Sequence, residues 1–472
     1  MSGRLLAWVG ALLVAGFPSA CGSELHSDVE TVPDGTHDAE TGDTGNDADA
    51  HDGGGDAGLP AQSTQLLRGR LLYELRTLNQ ELTDWTTDSL LLPALGVNVR
   101  AVRGRQLLAE TTSATSSAGA GEFELEVPID ASDDTFIVVQ AASYNEDGQL
   151  SFGVADPGFL PRENPHDLSE AMPRAQLWSW SFPLSSLEQG PDLTINLADG
   201  SAALHVFDAA RRVRDQLQPT LGERAFEPLL VWLGVGSRFS CGTCTVRDSV
   251  ELLGQAITHR VWLDGSSQER YWSDALTFHE LGHVAMNMLA APQRESGSHF
   301  FGKPTQPGQA FGEGWATFFS AWMRKDSRYY DKQNGALVVF DLAMRSYPAE
   351  LPTWQRPNAA AGLMQPMDEN EVAAMLWDLQ QRLADRTIVE AMASPHMKTA
   401  PFPRGYTRRT WSDPNDLADY QDTREPHPML ADLLDALRCD AAVPEGVIDA
   451  ATDPQAHLPY PSSQPLCAAS AP

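Results

Sequence analysis

The chain changes character near residue 200, and this change limits the folds that it can adopt. Before that point, short apolar runs alternate with turn residues: RGRLLYEL, GVNVRAV, GEFELEVP, DTFIVVQAASY, WSWSFPL and DLTINL. Such spacing predicts the strands of an all-β sandwich over residues 64–200. Beyond it, longer amphipathic segments predict an α+β domain over residues 201–472 that is mostly helical toward the C-terminus. The expected fold class is therefore multidomain.

The second part begins with SAALHVFDAARRVRDQLQ, whose amphipathic pattern predicts a helix capped by Ser201. Two strand candidates follow, PLLVWLGVG and THRVWLDG. Further helices are predicted for DALTFHELGHVAMNML, AFGEGWATFFSAWM, ENEVAAMLWDLQQRLAD and HPMLADLLDALRC.

Residues 1–21 predict an export signal. Arg4 supplies a basic flank, and LLAWVGALLVAGF is an apolar run too short to span a bilayer comfortably. The run ends in PSACGS, and it resembles a bacterial lipoprotein signal in which Cys21 becomes the lipidated first residue. Pro18 stands where such signals usually carry Leu. We expect a lipoprotein of the bacterial outer membrane or cell surface that contacts membrane through its anchor alone; the alternative is a soluble secreted protein.

An acidic segment follows the signal. Residues 22–63 are rich in Asp, Gly and Thr, with eleven acidic residues between Glu24 and Asp56. They contain too few apolar side chains for a core, so we expect a disordered tether. The net charge of the whole chain is -31. Because nucleic acids are bound through basic patches, this charge argues against a nucleic-acid partner.

Cysteine usage agrees with export. If Cys21 carries lipid, four of the five cysteines remain: Cys241, Cys244, Cys439 and Cys467. In an oxidising compartment an even number favours two disulfides. The CGTC segment could close on itself, which would pair Cys439 with Cys467. A zinc site built from the four is a less favoured alternative, and no βαβ pattern supports a thioredoxin-like role.

The segment DALTFHELGHVAMNML holds the most informative motif. On a helix, positions i and i+4 lie on one face, so His279 and His283 can reach one zinc ion. Glu280 lies one residue further round, where a carboxylate can take a proton from the attacking water. The alternative is a helix that carries two histidines by chance. An unligated imidazole pair on a largely apolar helix would be costly, however, which favours the metal.

A catalytic zinc takes a third protein ligand, and the sequence narrows the choice. A third histidine in the pattern HExxHxxGxxH would require Gly at position 286 and His at 289, where this chain has Met286 and Leu289. FGEGWATFF instead offers Glu313 at the start of a second helix. It is the most convincing carboxylate for the third position.

Three motifs, HELGH, GEGWATFF and ENEVAAMLWDL, together resemble the gluzincin zinc peptidases, especially the fungalysin-like branch. The resemblance spans residues 279–379 and implies that His279, His283 and Glu313 bind Zn²⁺, with Glu280 as general base. Separately, the run from GVNVRAV to GEFELEVP resembles transthyretin-like sandwich modules of secreted bacterial proteins. That second resemblance implies an accessory module.

The chain departs from the gluzincin pattern at two places. Thr317 stands where the family has an Asp that orients the first histidine, which implies weaker support for that ligand. Met367 stands where the family has a histidine that stabilises the transition state. His299, in the loop between the two ligand helices, is the candidate replacement, against the alternative of an exposed loop histidine. Tyr329, Tyr330 and Tyr347 are further candidates, for which packing roles are favoured.

These residues predict a zinc metalloendopeptidase that cleaves protein or peptide substrates. The alternative, favoured by Thr317 and Met367, is a surface lipoprotein that keeps zinc as a binding or structural module without efficient catalysis. Glu280 opposes this alternative, because a non-catalytic site has little need of a carboxylate there.

Overall fold

The structure of the protein is a computed structural model. It describes residues 63–79, 83–129, 134–157, 176–234, 239, 242–265, 270–293, 299, 302–333, 336–345, 366–399, 410–411, 420–421, 428–453, 458, 460, 462–463 and 467. The signal, the tether and three residues named above lie outside these ranges: Cys21, Cys241 and Tyr347.

Strands dominate the first half of the described chain, and every apolar run quoted above for this half contributes to one or two of them. They are β1 (Thr64–Leu78), β2 (Trp85–Pro93), β3 (Asn98–Arg103), β4 (Gln106–Thr112), β5 (Glu122–Pro128), β6 (Thr135–Gln140), β7 (Ala142–Tyr144), β8 (Leu150–Asp156), β9 (Gln176–Leu177), β10 (Ser179–Pro183) and β11 (Asp192–Ile195). The later strands are β12 (Leu229–Leu233), β13 (Cys244–Leu252), β14 (Gln255–Leu263), β15 (Arg328–Gln333), β16 (Ala336–Asp341), β17 (Thr410–Trp411) and β18 (Tyr420–Gln421).

Helices dominate the second half. They are α1 (Ser186–Gln189), α2 (Ala202–Leu221), α3 (Asp274–Leu289), α4 (Pro307–Arg324), α5 (Glu369–Gln380), α6 (Thr387–Met392), α7 (Pro395–Thr399), α8 (Leu430–Cys439) and α9 (Glu445–Thr452). Ser201 does precede α2, as expected, but its hydroxyl donates to the carbonyl of Glu74 instead of accepting from the helix. None of the helices in the described ranges is sufficiently long and apolar to cross a membrane.

The strands form three larger sheets. In the first, β1 is flanked by β11 and β2 and also pairs with β5; the second has the order β10-β6-β3-β4. The third has the order β13-β14-β12-β8-β7, with β9 beside β8. Two hairpins, β15-β16 and β17-β18, complete the described strands. The architecture is therefore mixed, with several sheets and many helices.

The third sheet joins the two halves of the chain. β8 pairs in parallel with β12, with Val154 opposite Val231. All five residues of β12 are buried, as expected for a central parallel strand. The rings of Phe152 on β8 and Phe207 on α2 stack with centroids 4.9 Å apart. Division at residue 200 stays a prediction, but strands from both sides of that position share one sheet.

The hydrophobic core is also shared. One cluster of buried residues contains Leu71 and Val99 from the first two sheets together with Phe278, Trp315 and Leu376 from α3, α4 and α5. The helices that carry the gluzincin-like motifs therefore pack on the same core as the N-terminal strands.

Three of the described cysteines are disulfide-bonded. Cys439 at the end of α8 is joined to Cys467, with Cα atoms 5.3 Å apart. Cys244, at the start of β13, is also disulfide-bonded. The proposed partner of Cys244, Cys241, lies outside the described residues.

Candidate metal centre

Helix α3 presents the two histidines of the HELGH motif. It begins after Ser273, whose hydroxyl oxygen accepts from the backbone N–H of Leu276 at 3.1 Å. This cap fixes the first turn of the helix one turn before His279. The rings of His279 and His283 lie edge to face with centroids 5.0 Å apart, as expected for positions i and i+4 on one face.

Helix α4 packs directly on α3, and a motif glycine permits it. A Cβ added at Gly282 would lie 2.9 Å from Cα of Ala316, so a side chain there would push the helices apart. The indole N–H of Trp315 donates to the carbonyl of Gly282 at 3.0 Å. The glycine of HELGH and the tryptophan of GEGW therefore set one helix–helix contact, which brings Glu313 to the two histidines.

A second motif glycine admits α5 on the other side of α4. A Cβ at Gly314 would lie 2.7 Å from the carbonyl oxygen of Glu369 and 2.7 Å from Cβ of Val372. The close approach of α4 and α5 therefore requires Gly314. It also brings the first turn of α5 beside the histidine cluster.

The three predicted ligands converge. Oε2 of Glu313 lies 3.2 Å from Nε2 of His279 and 3.3 Å from Nε2 of His283. The three ligand atoms all lie within 4.8 Å of one another. Ligand atoms bound tetrahedrally to zinc at about 2.0–2.1 Å lie about 3.3 Å apart. The two separations are compatible with that edge, so the three side chains could hold a zinc ion.

Unsatisfied nitrogens support the same conclusion. Nε2 of His283 and Nε2 of His299 are buried, and within the described residues neither has a hydrogen bond of good geometry, although they lie 3.3 and 3.7 Å from Oε2 of Glu313. Buried polar atoms are normally satisfied, so two orphans that face one carboxylate indicate a site for a further group. Two imidazoles and a carboxylate are a donor set that suits zinc.

The cluster is electrostatically coupled. Burial disfavours the charged form of each group, but His299 and His283 hold the pKa of Glu313 well below its usual range. In return, Glu313 outweighs burial and raises the pKa of His283. Burial is likewise outweighed at His299, where Glu313 and Glu369 raise the pKa to about 10.

The candidate base lies on the side of α3 that faces the third sheet. Glu280 is 1% exposed. The hydroxyl of Thr245 on β13 lies 2.8 Å from Oε2 of Glu280 and 3.0 Å from its carbonyl oxygen. The Glu280 carboxylate also contributes to the raised pKa values of His283 and His299, so it lies near the cluster.

Thr317 on α4 lies beside His279 on α3. Its hydroxyl oxygen lies 3.0 Å from Nδ1 of His279, and both residues are buried. A contact at Nδ1 leaves Nε2 directed toward Glu313. The hydroxyl therefore orients the ring, although it carries no charge with which to make the imidazole a stronger donor to a metal.

His299 lies at the same centre and is not an exposed loop residue. Its Nε2 is 3.7 Å from Oε2 of Glu313, while its Nδ1 is 2.9 Å from Oε2 of Glu369. It is 8% exposed. Among the described residues between α3 and α4, His299 therefore lies beside Glu313 and Glu369.

Met367, Tyr329 and Tyr330 make packing and main-chain contacts around the cluster. Met367 is buried and pairs with Thr305 through two backbone hydrogen bonds, N to O, of 2.8 and 2.9 Å. The Tyr329 ring lies edge to face with His279 at a centroid distance of 6.1 Å and stacks on Phe340 at 5.0 Å. Tyr330 packs under the guanidinium of Arg324.

Sequence reasoning missed two residues, Thr245 and Glu369. Thr245 lies in a strand that has no spacing relation to HELGH. Glu369 was part of a quoted motif, yet nothing local marks it as the partner of a histidine 70 residues earlier. An acidic residue at the start of an otherwise buried helix was the available signal, since buried carboxylates are normally paired.

A comparison with known protein families gives one match. The model of the mycolysin C-terminal domain matches residues 253–431, a range that contains α3, α4 and α5. Among curated proteins, none matches this chain. The match covers less than half of the chain, and it supports a relation to metallopeptidases of the fungalysin and mycolysin branch over residues 253–431.

Proposed function

We propose that this protein is an exported zinc endopeptidase in which His279, His283 and Glu313 bind the metal. The observation that carries the proposal is the separation of 3.2 and 3.3 Å between Glu313 Oε2 and the two Nε2 atoms, which is the edge of a tetrahedral zinc site. The match to a metallopeptidase family over residues 253–431 supports it independently.

The proposed chemistry divides between the metal and the chain. When bound, zinc supplies a Lewis acid that polarises the scissile carbonyl and makes water acidic enough to lose a proton near neutral pH. The Glu280 carboxylate takes that proton as the water oxygen bonds to the carbonyl carbon. It then gives the proton to the peptide nitrogen as the carbon–nitrogen bond breaks.

His299 is the proposed stabiliser of the oxyanion. An imidazolium donates from both nitrogens, so His299 can donate from Nδ1 to Glu369 and present Nε2 to the negative charge that develops on the carbonyl oxygen. Its Nε2 already faces Glu313, at 3.7 Å. In this proposal Met367 has no catalytic role.

The surroundings of the site are proposed from the sequence. The chain would be anchored at the bacterial cell surface by lipid on Cys21, with residues 22–63 as tether and the N-terminal strands as an accessory module. A secreted soluble form is the alternative location.

The experiment that tests the function is cleavage of casein by the purified, zinc-loaded full chain beside Glu280→Gln. We expect the parent to cleave, a chelator to abolish cleavage, and Glu280→Gln to lose about 10²- to 10⁴-fold in kcat with its zinc retained. Absence of one bound zinc per chain would contradict the metal site itself.

A second candidate function is a zinc-containing binding module. The observation that favours it is the position of His299 Nε2 near Glu313, because a fourth protein ligand would close the coordination shell, as in structural zinc sites. One bound zinc per chain with no cleavage of casein would favour this candidate over the peptidase.

A further inference from the structure

The strand β13 contributes a polar contact to the candidate base that the motifs did not indicate. Along a strand, successive side chains point to opposite faces. Cys244 and Val246 pack in a buried cluster with Trp262 on one face of the sheet. Thr245, between them, therefore points to the other face, where its hydroxyl reaches Glu280 on α3.

From this geometry we infer that Thr245 is a positioning residue, whose hydroxyl holds the Glu280 carboxylate in the orientation that takes the proton from water. The inference rests on the proposed peptidase function. The hydroxyl lies within 2.8 Å of the carboxylate and 3.0 Å of the main-chain carbonyl of the same residue. The hydroxyl therefore lies against both the carboxylate and the main chain of residue 280, and its single proton can be donated to the nearer carboxylate oxygen.

The position of Thr245 in the third sheet suits it for this role. Thr245 lies opposite Val261 in the antiparallel pair of β13 and β14, and Val261 is buried in the main core. Cys244, the preceding residue, is buried and disulfide-bonded. Thr245 thus lies between a disulfide-bonded neighbour along the strand and a buried partner on β14. Its hydroxyl therefore has a well-defined position next to Glu280.

The contact has a chemical consequence. A glutamate side chain has three rotatable bonds, and a base must lie within hydrogen-bond reach of the proton that it takes. A hydrogen bond to a carboxylate is among the stronger ones in proteins. Loss of the hydroxyl should therefore let the carboxylate turn away without removing the base, the metal ligands or the substrate contacts.

The test compares Thr245→Val, which keeps the shape of the side chain, with Thr245→Ser, which keeps the hydroxyl. Ser249→Ala is the matched control, since Ser249 is exposed on the same strand. All are made in the full chain, and each is checked for zinc content and thermal unfolding. Thr245→Ala replaces the valine variant if that variant does not fold.

We expect Thr245→Val to lower kcat about 10- to 100-fold at nearly unchanged KM, the size of loss that small misplacements cause. The kcat of Thr245→Ser should stay within about threefold of that of the parent. The kcat of Ser249→Ala should equal that of the parent. Parental kcat in Thr245→Val, or equal losses in the serine and valine variants, would overturn the inference.

Crystal structures of the parent and Thr245→Val provide a readout that does not depend on activity. We expect the Glu280 carboxylate to keep one orientation in the parent and to leave it in the variant. An unmoved carboxylate in the variant would contradict the positioning role. If the parent itself cleaves nothing, the proposed function fails, and the two crystal structures alone decide the role of Thr245.

Discussion

His299 and Glu369 form a buried pair at the centre of this protein, with Nδ1 of the histidine 2.9 Å from Oε2 of the carboxylate. The first residue lies in the loop between α3 and α4, and the second is the first residue of α5. The pair holds the opposite nitrogen of His299 toward Glu313.

This relationship predicts different outcomes for the two roles open to His299. If it stabilises the oxyanion, His299→Phe should lower kcat about 10²- to 10³-fold and leave one zinc per chain. Glu369→Gln should lower kcat less and also retain zinc, because the imidazole of His299 remains but its orientation and positive charge are less favoured. The measurements are casein cleavage and zinc stoichiometry after dialysis. Loss of zinc from His299→Phe would instead identify His299 as a ligand.

Thr317 is predicted to support zinc affinity through His279. Thr317→Ala removes the contact of 3.0 Å at Nδ1 and should weaken zinc binding about 10- to 100-fold, the usual effect of losing an outer-shell partner. Thr317→Ser should bind like the parent. Competition with a coloured chelator measures the affinity. Ser320, one turn later, provides a control through Ser320→Ala, since its hydroxyl donates to the carbonyl of Ala275 and not to a ligand.

The charges at the centre predict a pH dependence of stability in the chelated protein. Glu313 has a lowered pKa, so its contribution is present above the unfolded value of 4.5 and is lost as the pH falls through the folded value. His299 has a pKa raised to about 10, so its contribution is complete below 6.5 and is lost as the pH rises toward 10. The pKa of His283 is raised as well, so its contribution to stability is also lost as the pH rises.

The chelated protein should therefore lose stability from this cluster between about pH 6.5 and 10. The zinc-loaded protein should not, because metal binding requires neutral histidines and is favoured as the pH rises. Thermal melts with and without chelator should diverge across this range. Glu313→Gln is the control, since it lacks the charge that raises both histidine pKa values. An equal slope in the chelated parent and in Glu313→Gln would rule out the Glu313 charge as the cause.

Gly314 is predicted to be essential for the packing of α5. Gly314→Ala places a methyl group 2.7 Å from the carbonyl of Glu369, and should destabilise the protein by about 1–3 kcal/mol and lower its activity. Gly446→Ala in α9 is the matched control, because nothing lies within 4 Å of the added methyl. Gly446→Ala should stabilise the protein by about 0.5–1 kcal/mol, because alanine favours a helix more than glycine does. Urea denaturation of both variants tests the comparison.

The shared third sheet predicts that the C-terminal part does not fold alone. A chain of residues 201–472 lacks β8, so β12 loses a parallel partner and Phe207 loses the stacked ring of Phe152. Removal of one core phenylalanine ring typically costs about 3–5 kcal/mol. We expect no cooperative thermal transition for residues 201–472 and a normal one after deletion of 22–62. A cooperative, zinc-binding fragment 201–472 would contradict this interpretation of the sheet.

Much of the candidate centre could be predicted from local sequence, because His279, His283 and Glu313 lie on helices whose periodicity is local. The spacing of His279 and His283 places both on one face whatever surrounds the helix. Ser273 caps that helix, and Gly282 of HELGH and Gly314 of GEGW lie where helices approach closely. The runs that predicted strands before residue 200 do form strands, because alternation also acts over a few residues.

The partners of these residues were decided by the tertiary structure. Thr245 reaches Glu280 across 35 positions, and His299 reaches Glu369 across 70. The pairing of β8 with β12 likewise joins strands on either side of residue 200, where the sequence changes from strand-like to helix-like patterns. No periodicity encodes such contacts, because they follow from how the helices and sheets pack over one core. The sequence by itself determined which side chains could bind a metal, and the packing decided which groups orient them.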